Sequence, residues 1–190
     1  MAAPRVVAVS RDDKHRFSKQ PQDSITLVED FGVVGDAHAG ATVQHRSRKR
    51  WTPDAPNLRQ VHLLPVELFD EARALGHELA PGDLGENVLT SGLELHDLPA
   101  GTRLGLGEAV VRLTGLRNPC VQINRFRPGL LKIVLFRPDG TPTDEPVRGN
   151  SRQVIRRAGV MAVVERGGDV VPGQSITVTE PVDGDPLQPV

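Results

Sequence analysis

Tyrosine is absent from this 190-residue sequence, tryptophan and cysteine occur once each, and aromatic residues make up only 3% of the chain. So few aromatic side chains provide no platform for stacking nucleic-acid bases. The 23 basic and 24 acidic residues nearly cancel, which argues against a general nucleic-acid binder. A single cysteine excludes an internal disulfide bond, so that residue serves either packing or thiol chemistry.

Long apolar runs are also missing. No apolar segment approaches the ~20 residues that span a bilayer, so we predict no membrane association. The first residues contain a short apolar patch but no charged leader before it and no clear cleavage site, so we do not predict a signal peptide. A free thiol without an export signal favours the cytoplasm.

Glycine and proline are abundant, with 19 Gly and 16 Pro in a sequence rich in valine and leucine. This composition predicts short strands joined by tight turns. The segments predicted as strands are 5–9, 25–28, 59–64, 88–89, 103–106, 109–113, 160–164 and 175–178. Segments 103–106 and 109–113 form a predicted hairpin, and segment 130–136 is an apolar run that fits either a helix or a strand.

Apolar residues at helical spacing predict one well-defined helix, from Pro65 to about Leu79. A second, short helix is predicted after the cysteine. Without repeats or a linker, the chain is predicted to be one domain, residues 1–190, with residues 179–190 as a loose tail. We predict a mainly β fold, a closed or nearly closed β-barrel with a few short helices.

The stretch GVVGDAHAG (residues 32–40) places Asp36 and His38 where both side chains could point to the same side of an extended segment. With His45 and the distant Cys120 they would make a chemically acceptable zinc set, although the spacing matches no compact zinc signature. His38 could equally fix a turn. Nearby basic residues either contact an anion or form solvated surface; these are Lys14, Lys19, Arg46, Arg48 and Lys49.

The stretch PGDLGENVLTSG (residues 81–92) places Glu86 and Asn87 at the entrance to a strand. Polar side chains are costly to bury without hydrogen bonds. They therefore either brace the turn or line a site. His62, in the preceding predicted strand, is expected to be a half-exposed strand residue.

Cys120 lies in GLRNPCVQI (residues 115–123). Asn118 is a good N-cap and Pro119 suits the first helical position, so Cys120 is predicted in the first turn of a helix, where the helix dipole favours a thiolate. Arg117 adds a positive charge nearby. A thiolate here would be a nucleophile, a sulfur carrier or a soft metal ligand. The alternative is that Cys120 is a small buried apolar residue.

Several stretches together resemble the MOSC domain family, named for the C-terminal domain of molybdenum cofactor sulfurases. The matching segments occur in family order over roughly residues 5–178. They are GVVGDAHAG with QHRSR, RQVHLLPVELFD, PGDLGENVLTSGL, AGTRLGLGEAVVRLTGLRNPC and RAGVMAVVERGGDVVPGQSI. The combination of Gly-Asp-Leu-Gly-Glu-Asn with Arg-Asn-Pro-Cys is specific, and the chain resembles the small, stand-alone type.

This resemblance implies a β-barrel that binds molybdenum cofactor (molybdopterin). Cys120 matches the family cysteine, which ligates molybdenum or, in sulfur-transfer members, carries a persulfide. The other matched cofactor-binding candidates are Asn87, Glu86, Arg117, Asp36 and His38. Lys19 and the other basic residues named above could contact the cofactor phosphate. The chain has no pyridoxal-phosphate lysine domain, so pyridoxal phosphate is not expected.

Three functions remain open at this point. The first is a molybdenum-dependent oxidoreductase that reduces N-hydroxylated small molecules and takes electrons from a separate redox protein. The second is a sulfur carrier that receives sulfur from a donor as a Cys120 persulfide. The third is a zinc-stabilised or ligand-binding barrel without turnover.

Overall fold

Short strands form most of the regular structure. The computed structural model describes residues 3–44, 49–145 and 154–190. The strands in chain order are β1 Arg5–Arg11, β2 Gln20–Gln22, β3 Ile25–Val28, β4 Gly32–Val33, β5 Val61–Pro65, β6 Val88–Ser91, β7 Arg103–Leu106, β8 Ala109–Leu116, β9 Leu135–Phe136, β10 Ile155–Arg156, β11 Val160–Arg166, β12 Gly168–Val170 and β13 Ile176–Thr179. Within these residues the helices are α1 Glu67–Ala74, α2 Gln122–Phe126 and α3 Leu131–Val134. The prediction of a mainly β fold is confirmed.

One eight-stranded sheet dominates, in the order β13-β7-β8-β11-β5-β6-β1-β2. Its pairs are antiparallel except β5 with β6, which are parallel and connected through α1. An isolated bridge joins Arg5 to Ser175. The Val6 N–H also donates to the Gln174 carbonyl at 2.9 Å. The sheet therefore curls until the start of β1 meets the residues just before β13. Among the described residues a single bridge and a few hydrogen bonds join them, and no continuous ladder closes the sheet.

Two apolar clusters follow from this curvature. The inner cluster takes side chains from nearly every strand of the large sheet and from β3 and β12, and includes Val6, Leu63, Leu104 and Val160. The second cluster packs the three helices against the outer face of β5 and β6, around Leu64, Leu68 and Ile133. Strand β5 is therefore buried on both faces.

Local predictions agree well with these elements. Strand β3 and the β7–β8 hairpin lie where the sequence predicts them. Helix α1 ends at Ala74, five residues before the predicted end, because Leu75 is exposed and Gly76 takes a positive φ of 83°. The ambiguous run 130–136 is both helix and strand, α3 followed by β9.

The prediction of a loose C-terminal tail is wrong. Pro186 pairs with Pro99, and Pro189 pairs with Leu116 at the end of β8. Leu187 is buried in the inner cluster. The last residues therefore lie along the large sheet because their apolar side chains and backbone groups find partners there.

Within the part of the chain that the structure describes, no helix is both long enough and apolar enough to cross a membrane.

Candidate functional site

A cavity of about 970 Å³ opens beside the ends of β5, β6 and β8. Its walls come from residues distant in sequence, and they mix charged, amide and apolar side chains. The lining side chains that carry the argument below are Lys19, His38, Trp51, His62, Asn87, Arg117 and Cys120.

A buried ion pair forms part of this wall. Lys19 Nζ lies 2.6 Å from Asp36 Oδ2, and the two side chains are only 6% and 1% exposed. The other oxygen, Asp36 Oδ1, accepts the backbone N–H of His38 at 2.9 Å and lies 3.2 Å from His38 Nδ1. Asp36 therefore orients both Lys19 and His38 toward the cavity while lying behind them.

The two partners respond to burial in different ways. Burial alone would raise the pKa of Asp36, but the His38 hydrogen bond and the Lys19 ammonium outweigh it and hold that pKa well below its usual range. Burial lowers the pKa of Lys19, and the attraction of Asp36 offsets part of this effect. Asp36 is therefore a carboxylate at neutral pH.

Asn87 connects β1, β5 and the loop that carries Asp36. Its Nδ2 donates to Asp36 Oδ2 at 3.0 Å and to the Ser10 carbonyl at 3.1 Å. Its Oδ1 accepts the His62 backbone N–H at 3.1 Å. Because the amide is fully hydrogen-bonded, its burial at the strand entrance costs little. Asn87 both braces the turn and lines the cavity, the two alternatives that the sequence left open.

His62 is buried, and the prediction of a half-exposed strand residue is wrong. Its Nε2 lies 2.9 Å from the Ala158 carbonyl and so donates to it. Burial, together with the nearby Arg117 charge, lowers its pKa well below the ordinary value, so the ring is neutral. His62 has apolar neighbours before and after it in the sequence, Val61 and Leu63–Leu64. A nearly continuous apolar run of this kind is the sequence signal for a strand that is covered on both faces.

Glu86 does not line the cavity. Its Oε1 accepts the Gly82 N–H at 2.6 Å, and burial raises its pKa. Among the described residues its Oε2 has no hydrogen-bond partner. Glu86 therefore braces the turn from behind.

The turn 82–85 lies directly on the backbone of residues 17–19. The Lys19 N–H donates to the Gly82 carbonyl at 2.8 Å, and Ser18 Oγ donates to the Asp83 carbonyl at 2.9 Å. A Cβ at Gly85 would lie only 2.5 Å from the Phe17 carbonyl oxygen. These glycines allow the turn to hold the segment that presents Lys19.

Arg117 follows β8 into the cavity wall. Its backbone N–H donates to the Gly159 carbonyl at 3.0 Å, and its guanidinium carbon lies 5.8 Å from the centroid of the Phe17 ring. Its Nη1 is buried and, among the described residues, has no hydrogen-bond partner. Burial lowers the pKa of Arg117, although the nearby Cys120 and Glu86 act in the opposite direction.

Cys120 is a free, half-buried thiol on the cavity wall. Its Sγ lies 3.6 Å from Gln122 Oε1. The prediction that it lies in the first turn of a helix is wrong, because α2 begins at Gln122 and Val121 is its N-cap. Asn118 does not cap the helix; its Oδ1 accepts Arg156 Nε at 2.7 Å. The thiol instead lies in the turn before the helix, close to Arg117.

The structure thus places five of the candidate residues on one cavity: Lys19, His38, Asn87, Arg117 and Cys120. Asp36 and Glu86 support that wall from behind. Among the described residues no three of His, Cys, Asp and Glu are grouped to hold a metal ion. His45, Arg46 and Arg48 lie outside the described residues. Lys14 is exposed, and Lys49 Nζ donates to Gln44 Oε1 at 3.1 Å on the surface.

Comparisons with known proteins agree on the architecture. A model of the MOSC domain matches residues 35–177. The YuaD protein from Bacillus subtilis has a similar structure, with a TM-score of 0.71 and 23% identity over 95% of this chain and 97% of that one. YiiM from Geobacillus stearothermophilus has a TM-score of 0.59 and 16% identity over 93% of this chain and 75% of that one. YiiM from Escherichia coli has a TM-score of 0.55 and 19% identity over 95% of this chain and 73% of that one. These likenesses show a shared fold. No curated protein matches the sequence.

Proposed function

The chain belongs to the MOSC domain family, and from this membership we propose that it binds molybdenum cofactor in the cavity, with Cys120 as the protein ligand to the metal. We further propose that it reduces N-hydroxylated small molecules with electrons from a separate redox protein. The overall reaction takes up two electrons and two protons, converts an N–OH group to N–H and releases water. When bound, the cofactor supplies the two-electron chemistry.

One observation carries the proposal: a free thiol shares one cavity wall with a guanidinium nitrogen that has no hydrogen-bond partner in the described part of the chain. Molybdenum accepts soft thiolate donors, and Cys120 is the one such side chain in the sequence. The Arg117 Nη1 group is an unused donor of the type that binds phosphate. The donor set therefore suits a group with a soft metal and an anionic substituent.

Charge in the wall supports the same conclusion. Lys19 and Arg117 bring cationic groups to the cavity, which Arg16 and Arg59 also line, and Asp36 is the carboxylate paired with Lys19. Glu86 lies behind the wall, and burial raises its pKa. A buried positive charge is costly unless an anion compensates it. An anionic ligand would supply that compensation, and a lysine paired through one proton retains two further donors.

The test is molybdenum and pterin analysis of protein purified from a host that makes the cofactor. Wild type is expected to hold both near stoichiometrically, and Cys120→Ala and Cys120→Ser to lose molybdenum. Serine keeps the size and polarity of the side chain but removes the soft donor. Arg117→Gln is expected to lower pterin content. Full molybdenum content in Cys120→Ser would overturn the ligand assignment.

A sulfur carrier is the second candidate, favoured by the accessible thiol beside Arg117. In that reaction the Cys120 thiolate takes the terminal sulfur of a donor persulfide, giving a Cys120 persulfide and the donor thiol. The guanidinium would stabilise the anion. Wild type would then contain neither molybdenum nor pterin, and mass spectrometry of the Cys120 peptide would show one added sulfur atom. Zinc, measured in the same samples, would indicate the third possibility.

A further inference from the structure

Trp51 is the only tryptophan of the chain, and it stands at the cavity with 80% of its surface exposed. The guanidinium carbon of Arg50 lies 6.0 Å from its ring centroid. With so much of the side chain exposed, the opposite face of the indole is open. An exposed tryptophan contributes little to the core, so its position at a cavity needs another reason.

The residues that follow Trp51 extend this apolar surface. Ala55, Pro56 and Leu58 line the same cavity, and Leu58 is 43% exposed. We refer to these three residues and Trp51 as the Trp51 wall. Val121, beside Cys120, also lines the cavity and is 42% exposed. Exposed apolar side chains in a concave site are typical of a surface that binds the apolar part of a ligand.

The lining combines polar and apolar side chains, and several segments contribute both: residues 51–59 supply Thr52, Asn57 and Arg59 besides the Trp51 wall, and Val121 follows Cys120. Lys19, Asn87 and Arg117 supply charged and amide groups, whereas the Trp51 wall supplies apolar area. The volume of about 970 Å³ is near the upper end of the roughly 300–1,000 Å³ typical of ligand sites. A cavity of this size and composition offers a ligand both polar and apolar surface.

We propose that the Trp51 wall binds an aromatic ring of the substrate, which stacks on the open face of the indole. This assignment rests on the proposed function, in which the polar residues and Cys120 hold the cofactor. The substrate class is then an N-hydroxylated compound that carries a planar aromatic group. Offset stacking and burial of the ring favour such compounds over small aliphatic ones.

The experiment compares two probes with the same N-hydroxyamide head, benzhydroxamic acid and acetohydroxamic acid. The chain has one Trp and no Tyr, so protein emission reports Trp51 alone. Benzhydroxamic acid is expected to change that emission saturably and to bind at least about tenfold more tightly than acetohydroxamic acid. Calorimetry gives the same dissociation constants without relying on the fluorophore.

Three variants test the residue itself. Trp51→Leu is expected to weaken benzhydroxamic acid about fivefold by calorimetry and to change acetohydroxamic acid less than about twofold. Trp51→Phe, which keeps an aromatic face, is expected to retain most of the discrimination. Leu75→Ala removes another exposed apolar side chain, 64% exposed and away from the cavity, and serves as the control. Equal binding of the two probes by wild type, no saturable binding of either, or unchanged discrimination in Trp51→Leu would overturn the inference.

Molybdenum content, measured in every preparation, separates this inference from the proposed function. Trp51→Leu is expected to keep the molybdenum content of wild type. Ring discrimination in protein that never contains molybdenum would support the Trp51 wall and refute the cofactor. Full molybdenum content with equal binding of the two probes would support the cofactor and refute the Trp51 wall.

Discussion

Asp36 is the residue on which most of the polar cavity wall depends. It contacts the side chains of Lys19, His38 and Asn87 while being almost completely buried. Each of those three side chains lines the cavity, whereas Asp36 itself does not. Its role is therefore to position other groups, and its charge keeps the buried Lys19 ammonium compensated.

Replacing that charge should be costly. Asp36→Asn leaves the Lys19 ammonium buried without its counter-ion, so we expect the free energy of unfolding to fall by about 3–5 kcal/mol. Urea denaturation measures this change. The matched control is Asp70→Asn, which breaks the exposed pair between Asp70 and Arg73 and should leave the midpoint nearly unchanged. Equal effects of the two substitutions would refute a structural role for the buried pair.

Residue types predicted the site better than they predicted the roles within it. The sequence predicted Asn87 because a polar side chain at a strand entrance needs partners when buried, Asp36 because it lies in a glycine-rich stretch, and Arg117 because it lies near Cys120. The partners themselves come from far along the chain: the Asn87–Asp36 hydrogen bond joins residues 51 positions apart. Local pattern carries no information on such pairs, which is why it leaves open whether Glu86 braces the turn or lines a site, and why it predicts His62 to be half-exposed.

At the scale of an element, the turn 82–85 acts as a support for its neighbour. Its backbone holds residues 17–19 through the Lys19–Gly82 hydrogen bond, and Glu86 holds the turn in place. The turn 82–85 therefore sets the position of Lys19 in the cavity wall. A substitution in this turn should disturb the ion pair between Lys19 and Asp36.

Gly85→Ala tests this support. Gly85 has a φ of 79°, and an added Cβ would approach the Phe17 carbonyl oxygen. Gly76 has a similar φ of 83° with no atom within 4 Å of an added Cβ, so Gly76→Ala reports backbone strain alone. We expect about 1–2 kcal/mol of destabilisation at Gly76 and distinctly more at Gly85, measured by urea denaturation. Equal losses would mean that the contact with residue 17 is unimportant.

Elements held by neighbouring residues were predicted accurately, and those decided by distant packing were not. The β7–β8 hairpin needs only its own turn and alternating pattern. The helix expected to begin at Pro119 begins at Gln122 instead. Asn118, its expected cap, is engaged by Arg156, which arrives from a later strand. Tertiary contact thus overrides the local capping preference.

For the molecule as a whole, the buried His62 and the half-buried His96 predict a loss of stability in mild acid. Burial lowers the pKa of His62 well below its ordinary value and lowers that of His96 to about 4, with Arg117 and Arg157 adding to the effect. Both groups therefore stabilise the folded form above about pH 6.5. As the pH falls from there, the unfolded chain binds protons that the folded one does not, and this stability is lost. The raised pKa of Glu86 acts with the opposite sign.

His96→Gln isolates one of these contributions. Glutamine can still accept the Gly159 N–H that His96 Nε2 accepts at 3.2 Å. We expect the free energy of unfolding, measured by urea titration between pH 7.5 and 4.5, to fall less steeply in the variant. The slope should differ by up to about one proton, or ~1.4 kcal/mol per pH unit. Parallel curves for the two proteins would show that His96 does not carry the effect.

The way in which distant segments of the large sheet approach each other could not be predicted from the sequence. Short apolar segments between Gly- and Pro-rich turns predicted the strands and the mainly β class, but strand order depends on which edges meet. Neither the bridge between Arg5 and Ser175 nor the packing of the last residues along β8 has a local signal. Both pair segments that are far apart in the chain, where periodicity within one segment says nothing about its partner.

The contact between β1 and the segment before β13 also fixes when the fold can be completed during synthesis. Strand β1 pairs with β6, and its Val6 N–H donates to the Gln174 carbonyl near the other end of the chain. At about 5–20 residues per second on the ribosome, roughly ten to thirty seconds separate synthesis of these two segments. Until the second arrives, an edge of β1 has no partner and can pair with other chains. The nascent protein therefore passes through an aggregation-prone interval, and slower translation would prolong its need for chaperones.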